Sequence, residues 1–191
     1  AVGLGVLPVH TALAQSTTTV HIVPNAVEVP AGGTVDLAVE VVDADGIYGF
    51  DVSFTFDPSV VEVVDADPGQ GGVQMALGLL LDPGFVLVNR ADNEAGTARM
   101  AMTQLNPSEA KIGTGNLIVV TLRAVGASGG ATTISLTDAQ LARRDGAIVD
   151  VSLFPGQVAV VPPDSADPTN TPVPTQGAGT PMPTATPVEE G

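Results

Sequence analysis

Cysteine and tryptophan are absent, tyrosine occurs once, histidine twice, and 6 basic residues stand against 21 acidic ones over 191 residues. Without cysteine there is no disulfide staple, thiolate metal site or cysteine nucleophile. The histidines, His10 and His21, both lie near the N-terminus, and no serine, histidine and aspartate arrangement for acyl transfer is apparent. A formal charge of −15 repels phosphate backbones and anionic lipid surfaces, which argues against nucleic acid and membrane-surface partners. The same acidity suits a soluble, self-repelling exported protein. No apolar run reaches the roughly 18 residues that a membrane span needs.

What is present points to one all-β domain between two segments of different character. The glycine and proline content, 22 and 16 residues, fits many short strands divided by turns. A core of about 145 residues buries roughly two-thirds of its unfolded surface, enough for stability without a metal or a disulfide. Residues 1–14 are small and apolar and close on Ala12-Leu13-Ala14, as the later part of a secretory signal peptide does. Residues 162–191 turn to Pro, Thr, Ala and Gly, with Thr-Pro-Val-Pro-Thr and Thr-Pro-Met-Pro-Thr-Ala-Thr-Pro as near-repeats. Such a stretch cannot bury apolar surface and is expected to be a disordered, extended linker whose hydroxyls are open to O-linked sugar. The domain between spans 15–161, and the chain is expected to be secreted or held at a cell surface.

Within that domain the strands are expected at 18–24, 26–29, 34–42, 48–56, 60–65, 85–90, 96–104, 115–124, 131–139 and 149–161, with turns at Asp43-Ala44-Asp45-Gly46 and five other Gly- or Asp-rich sites. Residues 73–81 fit either a short helix or an irregular apolar strand. The apolar run 75–85, with Leu77, Leu79, Leu80 and Leu81 close together, is read as core filling rather than an exposed patch. The clearest alternation lies at Phe50-Asp51-Val52-Ser53-Phe54-Thr55-Phe56. It turns four apolar side chains one way and Asp51, Ser53 and Thr55 the other. The outer row is a docking surface in character, not a catalytic one.

The order of these segments is specific. Val-Glu-Val-Pro-Ala-Gly-Gly-Thr-Val-Asp-Leu-Ala-Val-Glu-Val at 27–41 is followed by Ile-Tyr-Gly-Phe-Asp-Val-Ser-Phe-Thr-Phe-Asp-Pro at 47–58. Then come Asn93-Glu94-Ala95-Gly96-Thr97, the glycine-led strand at 113–124, Gly130-Ala131-Thr132-Thr133-Ile134 and Gly156-Gln157-Val158-Ala159-Val160. Taken together, from about Val20 to Val161, the chain resembles a cohesin module. The resemblance implies a jelly-roll β-sandwich of about nine strands that binds a dockerin module. It also implies that calcium sits on the dockerin's paired EF-hand-like loops and that this chain carries no cofactor. One sheet is the contact face in that family. Alignment on Phe56-Asp57-Pro58 carries the contact role to Asp51, with Ser53 and Thr55 beside it. It adds Arg99, Ala101 and Thr103 on the strand that follows Gly96, with Met100 and Met102 turned inward. Gln104 falls near a polar contact position, and Asn89 is assigned to the neighbouring strand of the same face.

Other functions have less support in the residues. Asp43, Asp45, Asp65 and Asp67 occupy turns, where aspartate caps its own backbone. Asp43-x-Asp45-Gly46 resembles the start of a calcium loop but lacks the remaining ligands and the terminal glutamate. No catalytic residue is assigned, and paired carboxylates for glycoside hydrolysis would need a substrate cleft. A carbohydrate-binding module of the same architecture would need exposed aromatic rings, whereas the one Tyr48 and five Phe read mostly as core. A structural spacer domain in a surface stalk would need only the sandwich and the linker. Arg143 and Arg144, the one adjacent basic pair, either neutralise nearby aspartates or steer a partner.

Overall fold

Alternating apolar and polar residues with frequent turn signals do build strands throughout. The computed structural model describes residues 17–163, so the expectations for residues 1–14 and for all but the first two residues of the 162–191 segment lie outside the described residues. The described residues form twelve strands: β1 Thr19–Val23, β2 Ala26–Pro30, β3 Thr34–Thr55, β4 Val61–Val63, β5 Ala76–Leu77, β6 Phe85–Asp92, β7 Thr97–Thr103, β8 Lys111–Ala124, β9 Ala131–Arg143, β10 Ile148–Val149, β11 Ser152–Phe154 and β12 Gly156–Val161. No α-helix occurs among the described residues, and 73–81 is the irregular strand: β5 on β8, plus one bridge from Val73 to Ala91.

β3 organises the molecule. Its first half pairs antiparallel with β1 and β8, and its second half with β7 and β9. One hydrogen-bonded network therefore curls into the two facing layers of a β-sandwich. The change of layer falls at 43–46, where two separate strands with a turn between them were expected. The chain does not stop there. Asp43 and Gly46 take left-handed backbone conformations (φ 55° and 72°), and the pairing with β8 slips twice between Val41 and Ile47. Bulges of this kind bend a strand without ending it. Side chains bond the irregular backbone. The Thr18 hydroxyl donates to the Asp43 carbonyl at 2.9 Å, and Arg143 grips both the carbonyl and the carboxylate of Asp45 at 3.1 and 2.5 Å.

The closing segment is likewise not one strand. Pro155, with no N–H to donate, separates β11, which runs parallel to β1, from β12, which runs parallel to β2 and antiparallel to β9. With β10 as a third piece of this segment and β5 added, the strands among the described residues outnumber those expected, even though two expected strands merge into β3, within the same all-β sandwich.

One apolar core lies between the layers. Leu37, Val39 and Val41 from the first half of β3 join Ile118, Val120 and Leu122 of β8; Phe50, Val52 and Phe54 from the second half join Met100, Met102 and Leu141. The inward set at 50–56 is as the alternation predicts, and Met100 and Met102 also point inward. The run 75–85 divides: Met75 and Leu81 are buried and Leu80 packs on the core, while Leu79 is 97% exposed and Phe85 60%.

Candidate functional site

The order β9, β3, β7, β6 gives a four-stranded sheet whose inner side is core and whose outer side is open. Register fixes the outer face. Asp51 stands between Ala101 of β7 and Gln140 of β9, Ser53 between Arg99 and Asp138, Gly49 between Thr103 and Ala142. The six residues Asp51, Ser53, Thr55, Arg99, Ala101 and Thr103 thus share one surface, as alternation and pairing require.

The structure does not place the other two there. The Gln104 side chain is only 2% exposed; its Oε1 accepts from the Asp82 N–H at 2.7 Å and its Nε2 donates to the Glu109 carbonyl at 3.0 Å. Gln104 therefore clamps two loops and is closed to a partner. Asn89 lies opposite the inward Met100. Its amide bonds the backbone of Met75 in both directions, accepting at 2.9 Å and donating at 2.8 Å. Asn93 does the same to Val63 at 2.8 and 3.0 Å. Both asparagines act as side-chain substitutes for a missing strand neighbour along β6. The physical reason for the correction is the bulge between Val86 and Val88, which shifts the outward set on β6 by one residue.

That bulge brings forward residues the sequence did not single out. Leu87, 59% exposed, turns onto the outer face, where with Ile148 of β10 it borders a shallow depression of about 210 Å³ floored by Gly49, Ala101 and Ala142. Phe85 stands opposite Thr103 at the same end. Small residues lower the floor and large apolar residues raise the rim, a shape that suits close approach of a partner's backbone or helix. Gly49 is fixed by more than the surface: an added Cβ would lie 2.8 Å from the Met102 carbonyl oxygen. Gly49 was within reach of sequence reasoning, since 49 alternates with 51. Gln140 and Ala142 were missed because β9 runs four residues beyond its expected end.

The other half of the face is polar. Arg99 donates to Asp51 through Nε at 2.9 Å and through an Nη at 2.6 Å, a fork-on-carboxylate pair. The hydrogen bond from Arg99 holds the Asp51 carboxyl below its ordinary range, and Asp51 in turn raises Arg99. Asp51 is thus ionised but already engaged. Beyond the pair, the Thr137 hydroxyl donates to the Ser53 carbonyl at 3.2 Å, at a second bulge between β3 and β9. Arg143 neutralises Asp45, whereas Arg144 bonds the Asn106 side chain and lies over the Tyr48 ring at 5.4 Å. Among the described residues no group of three or more His, Asp or Glu side chains converges on a common point.

The chain matches a family model described as Cohesin domain over residues 20–160. Solved structures agree on the fold. A non-cellulosomal cohesin from the hyperthermophilic archaeon Archaeoglobus fulgidus superposes with a TM-score of 0.60 at 19% identity, over 76% of this chain and 92% of that one. A type II cohesin domain from the cellulosome of Acetivibrio cellulolyticus gives 0.62 at 16% identity, over 75% and 95%. The third cohesin of ScaC from the same organism, solved in complex with the ScaB dockerin, gives 0.62 at 17% identity, over 76% and 99%. No curated protein sequence matched significantly.

Proposed function

The chain belongs to the cohesin family, and from that premise we propose that it is a non-catalytic module that binds a calcium-loaded dockerin on the outer face of the β9–β3–β7–β6 sheet. The observation that carries this is the face itself. It combines a floor of Gly49, Ala101 and Ala142, an apolar rim of Leu87 and Ile148, and a polar half built on Ser53, Thr55 and the Asp51–Arg99 pair. A partner helix settles where bulk is absent, and the rim supplies apolar area to desolvate. Structures of family members with dockerins, including a type I pair from Clostridium thermocellum, support the same class of partner. The proposal includes the wider organisation: a module at 15–161, a spacer at 162–191 that sets it apart from whatever it is joined to, and work outside the cell or on its surface.

The experiment is capture from the secretome of the source on the immobilised full chain, with and without calcium chelation. The expected eluate contains proteins with duplicated EF-hand-like loops, lost when calcium is removed. A calcium-independent eluate, or retention of polysaccharide in its place, would overturn the proposal in favour of a stalk domain or a carbohydrate-binding module.

A further inference from the structure

Arg90 of β6 and Arg99 of β7 are directly opposite one another, in a chain with only 6 basic residues. Like charges so placed across a sheet repel and reduce stability. Their setting is specific. Both line a shallow notch of about 330 Å³ together with Ser53, Thr55, Thr97, Thr137 and one acid, Asp92. The acids nearby do not quench the two arginines equally. Arg99 is held by both oxygens of Asp51. Among the described residues Arg90, whose side chain is 73% exposed, reaches only Asp92, at 3.8 Å, which is beyond hydrogen-bond distance. Asp92 gives one oxygen to the backbone, its Oδ1 accepting from the N–H groups of Glu94 and Ala95 at 3.0 and 2.9 Å, and only its Oδ2 faces Arg90. The Arg90 guanidinium therefore keeps its fork of donors open to the notch, with four hydroxyl-bearing side chains around it.

A planar guanidinium with unused donors beside hydroxyls is a receptor for a carboxylate. We propose that this notch receives an Asp or Glu side chain of the docked partner, bound by Arg90 and the surrounding hydroxyls. The inference rests on the outer sheet face being the docking face, and it names the chemistry of one contact there. It also has a consequence for specificity. The chain carries a net charge of −15, so a broadly acidic partner is repelled over most of the surface, and only an acid placed opposite Arg90 is welcomed.

The test is selection of a yeast-displayed library of dockerin modules, randomised over the exposed surface of both helices, against the full chain. Clones selected on the natural sequence are expected to share an Asp or Glu at one position. They should lose about ten- to hundredfold in affinity on R90Q and recover part of it on R90K, while the melting temperature of neither variant falls. Clones that lose binding on S53R but share no acid, or are indifferent to R90Q, would overturn the carboxylate contact and leave the docking face standing. A library yielding no clone sensitive to S53R would overturn the docking face itself, and the notch with it.

Discussion

Asn89 and Asn93 use their amides on the backbone of the segments that run beside β6, so polarity at these positions serves the fold and not a partner. We predict that N89A destabilises the protein by about 1–3 kcal/mol, because the Met75 N–H and carbonyl lose their partners together. Denaturant unfolding measures that loss, and partner affinity measured on the same variant is expected to remain unchanged. An N89A protein with full stability and weakened binding would restore Asn89 to the contact surface. At this scale the sequence was legible where alternation is regular. Asp51, Ser53 and Thr55 are outward because Phe50, Val52 and Phe54 have to be inward. It was not legible on β6, where the single extra residue at Leu87 reverses which side each neighbour faces, and bulges leave no periodic mark. Nor does composition reveal that Asp51 is paired: its partner Arg99 is 48 residues away in the chain and becomes a neighbour only through the register of β3 and β7.

β3 shows what a strand can do that a sequence of turn residues conceals. Asp43-Ala44-Asp45-Gly46 has the composition of a reverse turn, yet the backbone bends there and continues, because neighbours on both sides bond to it. The residues favoured in turns tolerate a positive φ in any context, so they mark a change of direction and not its size. The consequence for packing is that one strand supplies core residues to both layers. Phe54, 1% exposed in the second half of β3, has core on its inner side and the candidate face on its outer side through Ser53 and Thr55. We predict that F54A costs about 3–5 kcal/mol, as expected for a buried phenylalanine that leaves a cavity, with a fall in melting temperature and no change in which residues a partner contacts. A negligible loss would mean that the inward and outward sides of β3 are exchanged. Pro155 has the opposite effect to the 43–46 bend: one missing donor splits a run that reads as continuous into β11 and β12, pairing with different strands.

The molecule as a whole is an acidic sandwich. Single exposed apolar residues such as Leu79 and Ile112 lie on other segments, whereas the outer face of the β9–β3–β7–β6 sheet combines a low floor of small residues, an apolar rim and a pair of opposed arginines. The order of the segments in the sequence was enough to give the fold. The shape of the face depends on two bulges and on the end of β9, which only coordinates supply. Hydrogen–deuterium exchange of the full chain, with and without a calcium-loaded dockerin that it binds, tests the central claim most directly. The account predicts slowed exchange on complex formation in peptides covering 49–55, 85–90, 97–103 and 138–148, and none of this in S53R. Protection confined to β1, β8 and the first half of β3 would contradict it, since that would place the partner on the other layer of the sandwich.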